Sequence, residues 1–525
     1  MRDFHMPGRS ATYADNGMVA TSHPLAAQAA LDILKSGGNA VDAAIAGAVL
    51  LGYCEPQMTG IGGDLFALVS PGPGKEIVAL NGSGRAPAGA NADTLRQQGL
   101  DVVPLRSAHA VTLPGAVDAF CKLSADYGQF GLDSVLAPAI KYTRDGIPVA
   151  PRVAFDWGND GGTLQGAARD YYLMDGNPPS VGDRFAIPSH ADVLEKIAKE
   201  GRDGFYKGAV AEDMVTTLRQ AGGVHDLDDF ANVSCDYTSP IAGDYQNRTL
   251  VEHPPNGQGA TALLMLNILS NFDIAGMSPF GAERAHIEAE AAKLAYDARD
   301  RFLADPDHMS RLDHMLDPKT ASDLAALIDP NKAMASAQTR SEAVHKDTIY
   351  ITVVDKDRMA VSLIYSIFHG FGSGIASSKY GILLQNRGAG FTLNPGHPNE
   401  LAPGKRPMHT IIPAMLLNNG QMETTFGVMG GAYQPNGHAR FVSNLHDFGM
   451  DPQAANDAPR AFADGKVLKI ERGYAPDVVQ NLADRGHKID VPDTPIGGGQ
   501  SISIRENGVL VGASDPRKDG CALGY

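Results

Sequence analysis

The glycine-rich segment Gly60–Asp64, with the sequence GIGGD, resembles a phosphate-binding loop in residue type. Such loops use glycines because their backbone N–H groups must approach the anion closely. This segment lacks the GxGxxG spacing after a strand, and no Lys-Ser or Lys-Thr pair follows it. We therefore predict a tight turn that approaches other backbone, and not a nucleotide site.

Residues that commonly bind metals occur here without the spacing of a known metal motif. The segment His286–Glu290 (HIEAE) has one histidine where the HExxH zinc motif has two. The four cysteines, Cys54, Cys121, Cys235 and Cys521, are far apart and form no CxxC pair. We expect no metal site, and the low cysteine content is typical of a reducing compartment.

Three further features could carry catalysis, but each has an ordinary structural interpretation when taken alone. Thr348 lies in a β-branched, aromatic segment where threonine is common. Arg85 belongs to a residue type that usually lies at the surface or in an ion pair. The pair Gly430-Gly431 is typical of a turn. Residue type alone therefore identifies no nucleophile.

The elements that must position these residues change in type near residue 347. Before it, the apolar spacing predicts helices, and after it β-branched runs predict strands. The predicted helices are Pro24–Ser36, Ala40–Tyr53 with Asn39 as its cap, Val117–Tyr127, Ala191–Glu200, Ala260–Leu269 and Ala282–Phe302. The predicted strands are Thr348–Asp355, Ala360–Ile367, Gly381–Gln385, Thr410–Leu417 and the region Ser501–Val511. The pattern indicates one α/β body with a helix-rich larger part and a strand-rich smaller part.

Composition and charge limit the class of protein. The 525-residue chain is 43% hydrophobic and 20% charged, which permits a sizeable core and excludes wholesale disorder. It has 44 Lys and Arg against 60 Asp and Glu, a net charge of −16, so nucleic acid and anionic membranes are poor partners. We find no apolar secretory segment at the N-terminus, and the longest apolar run, Ala43–Cys54, is too short to span a membrane. We predict a cytoplasmic enzyme or binding protein.

Motifs along nearly the whole chain together resemble the gamma-glutamyltranspeptidase family of N-terminal-nucleophile hydrolases. The matching segments are residues 18–69, 136–154, 288–306, 347–357, 371–375, 380–391, 402–407 and 512–520. Among the motifs, NGSGRAP, GILLQNRGAGF and KRPMHTIIPA are most similar to the subgroup that contains oxamate amidohydrolase. The resemblance implies a four-layer αββα sandwich that is made as one precursor and cleaves itself. It implies no cofactor.

The family's nucleophile motif is matched by DTIYITVVD, which implies cleavage between Asp347 and Thr348. The precursor would then yield a large subunit, residues 1–347, and a small subunit, residues 348–525, that form one body together. A dimer of such processed units is compatible with the resemblance. In the precursor, the Thr348 hydroxyl would attack the carbonyl of Asp347 and form an ester that water opens.

The resemblance also implies the catalytic roles in the processed enzyme. The free α-amino group of Thr348, with a reference pKa of about 7.7–8.0, would act as the base for its own hydroxyl. Gly430 and Gly431 would supply backbone N–H groups to the oxyanion. Ser366 stands where the family has a threonine whose hydroxyl contacts the nucleophile.

Departures from the family's pattern bear on the substrate. The family's carboxylate-binding arginine is matched by Ser83, and Arg85 follows two residues later. In the segment that binds an α-amino group, Arg387 replaces a glutamine and Gly390 replaces an acidic residue. Phe368 replaces a further asparagine. A buried ammonium group would therefore lack its carboxylate partner, which is costly.

A pocket with Arg85, Arg387 and the His409-Thr410 pair favours a small anionic substrate without an ammonium group. Arginine pairs with carboxylates through two parallel hydrogen bonds, which gives both affinity and orientation. The alternative for Arg387 is a pair with a structural acid, and the alternative for Arg85 is a solvent-facing position. His409 and Thr410 replace the family's Ser-Ser pair and are candidate binding residues on that ground.

The leading hypothesis is an autoprocessing amidohydrolase for a small carboxylate-bearing amide, with oxamate implied by the resemblance. Water or an amine acceptor would resolve its acyl-enzyme. The alternatives are a gamma-glutamyl hydrolase or transpeptidase acting on glutathione, and an acylase for dicarboxylic side chains. An unprocessed, non-catalytic binding scaffold is the hypothesis from a different class.

Overall fold

Two seven-stranded antiparallel sheets form the centre of the computed structural model, which describes residues 5, 8–334 and 348–525. The front sheet contains, in spatial order, Cys521–Gly524, Met18–Thr21, Ile349–Val354, Ala360–Ser366, Asp64–Ser70, Val78–Gly82 and Asp236–Thr238. The back sheet contains Thr12–Ala14, Leu510–Ser514, Gly498–Ile504, Gln421–Met429, Ala414–Asn418, Arg248–Glu252 and Ile241–Tyr245. Both sheets thus combine strands from the two sides of residue 348.

The inner faces of the two sheets pack against each other. Met18, Leu68 and Val354 of the front sheet form one buried cluster with Met415 and Ile502 of the back sheet. Along the strand Ile349–Val354, side chains alternate, so that one set faces this interior and the other faces the helices outside. This alternation explains why the strand is apolar or hydroxyl-bearing throughout.

Helices cover the outer face of each sheet, which gives the four-layer αββα order. Against the front sheet lie Pro24–Lys35, Ala40–Cys54, Ala116–Tyr127, Leu132–Asp145, Pro188–Glu200, Asp203–Tyr206, Gly208–Gln220 and Leu227–Ala231. Against the back sheet lie Gly259–Leu269, Ala282–Phe302, Leu312–Leu316, Pro318–Ala325, Gln434–His446, Pro452–Asp457 and Pro476–Asp484. The sandwich and the mixed α/β class predicted from the family resemblance are confirmed.

Shorter elements lie at the periphery of the sandwich. The remaining α-helices of the described residues are Ala92–Gln97, Pro151–Asp160 and Ala167–Tyr172. A small sheet is formed by Ala461–Asp464, Val467–Ile470 and Ile489–Asp490, and a two-stranded sheet by Ile147–Pro148 and Arg184–Phe185. Within residues 8–334 and 348–525, no helix combines the length and the apolar character needed to cross a membrane.

The helix Ala40–Cys54 is buried on nearly all sides, as its small apolar residues predict. The Asn39 side chain accepts hydrogen bonds from the N–H groups of Val41 and Asp42 and begins the helix with a capping box. Gly47 allows the helix to approach the front sheet, because a Cβ there would lie 2.4 Å from the side chain of Ile351. The small residues are therefore what bring the helix close to the sheet.

Most of the predicted elements are confirmed within a few residues, with two exceptions. The segment Gly381–Gln385 forms no strand, because its only β pairing in the structure consists of isolated bridges at Leu383 and Leu384. The strand predicted from Thr410 begins only at Ala414. Pro413 has no N–H group to donate to a neighbouring strand, so regular pairing starts after it.

We expect the substitution Gly427→Ala to lower the thermal midpoint of unfolding by several degrees. Gly427 lies in the back sheet opposite Tyr350, and an added Cβ would come within 2.3 Å of the tyrosine ring. Overpacking of this kind costs about 1–3 kcal/mol. Gly158→Ala is the control, because that exposed helical position has no atom within 4 Å of an added Cβ. Circular dichroism melts check this, and equal midpoints for Gly427→Ala and the wild type would contradict the packing.

Candidate active site

Thr348 is buried at the beginning of the front-sheet strand Ile349–Val354. This strand pairs with Ala360–Ser366, so Thr348 and Ser366 lie next to each other at the same end of the two strands. Thr348 Oγ1 donates to Ser366 Oγ over 3.2 Å, and the Phe368 N–H donates to the same oxygen over 2.9 Å. Ser366 thus holds the hydroxyl of the candidate nucleophile. Asp347, the other predicted residue of the cleaved bond, lies outside the described residues.

Gly430 and Gly431, here called the glycine turn, follow the back-sheet strand Gln421–Met429. Both have positive φ angles, 120° and 56°, which glycine adopts without the strain that a side chain would cause. A Cβ at Gly430 would also lie 2.9 Å from the backbone of Gly497. Glycine is therefore required at this turn for two independent reasons.

Two contacts across the sandwich align the front-sheet strand that follows Thr348 with the back-sheet strand that precedes the glycine turn. The hydroxyl groups of Thr352 and Thr425 lie 2.9 Å apart across the sandwich. Tyr350, two residues before Thr352, faces Gly427, two residues after Thr425. The strands therefore run in opposite directions where they cross. Thr348 precedes Tyr350 by two residues and the glycine turn begins three residues after Gly427, so both lie on the same side of this contact along the strands.

Arg387 is a fully buried cation next to this pair of hydroxyl groups. Its Nη2 donates to Ser366 Oγ over 3.3 Å, and its Nη1 donates to Thr410 Oγ1 over 2.8 Å. The Phe368 ring lies 4.0 Å from the guanidinium carbon, and Phe368 itself has a positive φ of 81°. Among the described residues, no carboxylate oxygen lies within 4.0 Å of the guanidinium, and its Nε has no hydrogen-bond partner. Within the described part of the chain, the guanidinium of Arg387 thus lies beside the hydroxyl group of the candidate nucleophile without a direct counter-ion.

Asp64 supplies a more distant negative charge. Its Oδ2 accepts from His409 Nε2 over 3.1 Å, and its Oδ1 accepts from Gln385 Nε2 over 2.8 Å and from the Gly84 N–H over 2.9 Å. Burial raises the pKa of Asp64 to about 6, while the charge of Arg387 opposes that rise. Burial also lowers the pKa of Arg387, and Asp64 opposes that change. The two charges therefore stabilise each other at a distance.

His409 is a neutral hydrogen-bond donor in this network. Burial, and then the charge of Arg387, lower the pKa of His409 well below its ordinary value. The neutral ring carries its proton on Nε2, since Nε2 faces the Asp64 carboxylate and Nδ1 accepts from the Ile411 N–H over 3.3 Å. His409 thus holds Asp64 in place, and its predicted contact with a substrate stays a prediction.

Arg85 lies in a different set of contacts. Its Nη1 donates to the Gly404 carbonyl over 3.0 Å, and its guanidinium lies 3.6 Å from Asp305 and 3.7 Å from Asp236. Its side chain is 37% exposed. None of these contacts reaches Thr348, so a role for Arg85 in substrate binding stays a prediction.

The segment Gly60–Asp64 forms the predicted tight turn against other backbone. A Cβ at Gly62 would lie 2.2 Å from the Leu383 carbonyl, and one at Gly63 would lie 2.4 Å from the Ser366 carbonyl. This close approach is what brings Asp64 into the site. Sequence reasoning missed Asp64 as a functional candidate, although an acidic residue directly after two closely packed glycines is the available signal.

His286, Glu290 and His487 form one group of possible metal ligands among the described residues. His286 Nδ1 lies 2.7 Å from His487 Nε2, and both residues are buried. The Glu290 carboxylate already accepts from Lys293 Nζ over 2.6 Å and from the Met334 N–H over 2.8 Å. A cation at this place would compete with the Lys293 ammonium group, and the cluster lies outside the network around Thr348.

Comparison with known proteins supplies the wider context. The sequence model of the family described as Gamma-glutamyltranspeptidase matches residues 26–525. The chain is 36% identical to the glutathione hydrolase-like YwrD proenzyme of Bacillus subtilis (strain 168), with 97% of this chain and 98% of the relative covered. It is 34% identical to the oxamate amidohydrolase proenzyme of Klebsiella pneumoniae, with 98% and 100% covered. The crystal structure of cephalosporin acylase from Bacillus halodurans matches with a TM-score of 0.93 at 38% identity, covering 100% of this chain and 99% of that one.

We expect Asp64→Asn to become more stable relative to the wild type as pH rises from about 4 to about 6. Because the pKa of Asp64 rises from 3.8 to about 6 on folding, the folded protein keeps a proton that the unfolded chain releases in this window. The contribution of Asp64 to stability therefore falls as pH rises and is constant above the window. A shift of this size corresponds to about 3 kcal/mol.

Thermal midpoints measured between pH 4 and pH 7.5 test the sign of this linkage. The changed hydrogen bonds in Asp64→Asn shift its thermal midpoint by an amount that does not depend on the pKa of Asp64. The readout is therefore the slope against pH of the difference between the variant and wild-type midpoints. Glu506→Gln, at an exposed turn, controls for the loss of one negative charge. Parallel curves for Asp64→Asn and the wild type would show that burial does not raise the pKa of Asp64.

Proposed function

The chain belongs to the gamma-glutamyltranspeptidase family and is an amide hydrolase of the N-terminal-nucleophile class, and we propose that its substrate is a small amide that carries a carboxylate. Oxamate is the best single candidate. In this proposal the precursor cleaves itself before Thr348, and the reaction passes through an acyl-Thr348 intermediate.

One observation carries the proposal: Arg387 is buried beside the nucleophile without a carboxylate partner in the described part of the chain. A buried guanidinium pays a large desolvation cost that a bound carboxylate would offset. Ser366 Oγ alone separates the guanidinium from the Thr348 hydroxyl, through contacts of 3.3 Å and 3.2 Å. A substrate carboxylate on Arg387 would thus lie close to the attacked carbonyl, which suits an acyl group with few bonds between the two.

In the proposed reaction, the α-amino group of Thr348 takes the proton from the Thr348 hydroxyl as the oxygen attacks the amide carbonyl. The N–H groups of Gly430 and Gly431 donate to the oxyanion that forms, and Arg387 holds the carboxylate of the substrate. The ammonium group returns its proton to the leaving amine as the C–N bond breaks. Water then hydrolyses the ester, or an amine acceptor takes the acyl group. No step requires a metal or a cofactor.

The two alternative substrate classes differ in whether the acyl group carries an ammonium group that the site must bind. A dicarboxylic side-chain amide also carries a carboxylate without an ammonium group and is the second candidate, and the similarity to a cephalosporin acylase is compatible with acylase activity. A gamma-glutamyl group brings an ammonium group that needs an acid. Asp64, whose charge acts on Arg387, already accepts hydrogen bonds from His409, Gln385 and Gly84, which counts against this class.

We expect Thr348→Ala to abolish both maturation and turnover, because the substitution removes the hydroxyl that performs both attacks. Intact-mass spectrometry should show two fragments that meet at the bond between Asp347 and Thr348 for the wild type. It should show one 55.3 kDa species for the variant. Amide hydrolysis by purified Thr348→Ala would disprove the assignment of the nucleophile.

Arg387→Gln should raise the KM for oxamate by about 10- to 100-fold, because a charge-assisted hydrogen bond to a carboxylate contributes about 1.5–3 kcal/mol. Arg387→Lys keeps the charge but cannot bind the carboxylate in a bidentate way, so its KM for oxamate should lie between those of the wild type and Arg387→Gln. Arg505→Gln removes an exposed arginine and is the control. Steady-state kinetics on mature protein checks this, with a gamma-glutamyl anilide and a glutaryl amide as comparison substrates. An unchanged KM for oxamate in mature Arg387→Gln would remove Arg387 from the binding site.

A further inference from the structure

Gln258 connects the two sides of the candidate active site. It is fully buried directly before the helix Gly259–Leu269. Its Nε2 donates to the Thr410 carbonyl over 2.6 Å and to the Gly431 carbonyl over 2.9 Å. The Thr410 hydroxyl accepts from Arg387, and Gly431 is half of the glycine turn. One amide group therefore holds the backbone on the carboxylate side and on the oxyanion side at the same time.

Arg299 determines how the Gln258 amide is oriented. Its Nη1 donates to Gln258 Oε1 over 3.0 Å. A guanidinium has donors only, so the amide oxygen must face Arg299 and the NH2 group must face the two carbonyls. The Arg299 side chain is itself fixed by two contacts. Its Nη2 lies 2.7 Å from Asp300 Oδ1, and its guanidinium carbon lies 4.5 Å from the centre of the Tyr296 ring. The orientation of Gln258 is thus specified by the long helix Ala282–Phe302.

The same helix makes a second contact with this region, because the Tyr296 hydroxyl donates to the carbonyl of Ala432, the residue after the glycine turn. Gln258, Tyr296 and Arg299 all precede residue 348, whereas their targets at Thr410 and Gly431–Ala432 follow it. After cleavage, these hydrogen bonds would join the large subunit to the working groups of the small subunit.

We propose that Gln258 is a positioning residue that sets the spacing between the carboxylate-binding guanidinium and the oxyanion donors, with Arg299 orienting its amide. The inference rests on the proposed function, since it takes Arg387 and the glycine turn as the two ends of the bound substrate. Oxyanion stabilisation depends on donors that are already in place before charge develops. Loss of the Gln258 donors should therefore lower kcat more than it raises KM.

The test compares two variants of nearly the same size as Gln258. Gln258→Met removes both donors and adds no charge, and it should lower kcat by about 10- to 100-fold at every pH, since the loss of a direct oxyanion donor costs about 10²–10³. Gln258→Glu keeps one oxygen on Arg299 but places an acceptor oxygen, in place of the NH2 group, against the two carbonyls. A protonated carboxyl group restores one donor, so the activity of Gln258→Glu relative to the wild type should rise as pH falls. A purely structural role would not produce this pH dependence.

The kinetics are measured with oxamate and with a gamma-glutamyl anilide on protein shown to be mature by intact mass. A kcat of mature Gln258→Met within twofold of the wild type, or a loss confined to KM, would overturn the inference. Should Gln258→Met remain uncleaved, the comparison of Arg299→Met with Arg299→Lys decides. We expect Arg299→Met to lose kcat and Arg299→Lys to keep most of it, because lysine can still donate to the Gln258 oxygen. Equal kcat values for the two Arg299 variants would overturn the inference. Turnover of the anilide but not of oxamate by the wild type would reject the substrate proposal, and the Gln258 comparison would still stand on the anilide.

Discussion

The guanidinium of Arg387 is buried beside the candidate nucleophile and needs a counter-charge, and much of the candidate site is arranged around that need. Arg387 has hydroxyl partners on Ser366 and Thr410 and an aromatic ring beneath it, which orient the cation without neutralising it. Asp64 lowers the cost of the charge from a distance. Its own carboxylate is held by His409 and Gln385, so it is not available to move onto the guanidinium. In the proposed function, the cation is thereby kept in place for the carboxylate of the substrate.

The sandwich explains why residues so distant in sequence meet at one point. Two neighbouring strands of the front sheet bring Thr348 and Ser366 together, and the glycine turn follows a back-sheet strand whose Gly427 faces Tyr350 of the front sheet. In the proposed reaction, a front-sheet strand would supply the attacking oxygen, and the turn after a back-sheet strand would supply the oxyanion donors. Where these two strands cross, Gly427 leaves room for the ring of Tyr350, because a Cβ there would lie 2.3 Å from that ring.

The sequence predicted the layers and the strand that begins at Thr348, because apolar periodicity and the family's motifs are local signals. It did not predict the contacts of Asp64 or Gln258. Several of these contacts join residues that are more than 150 positions apart, such as His409 with Asp64 and Gly431 with Gln258. Nor did it predict that Arg85 faces Asp236 and Asp305, since the residue type of an arginine does not say which acid lies nearest. Local spacing predicts elements well, but side-chain networks are decided by packing.

Both sheets combine strands from the two sides of residue 348, and this has a consequence for a cleaved protein. Once the chain is cut there, neither fragment retains a complete sheet. Unfolding would separate two polypeptides, and recovery would become a second-order association that slows on dilution, in contrast to the first-order refolding of the precursor. The lifetime of the mature enzyme would then be governed by how rarely it opens, which is kinetic and not equilibrium stability.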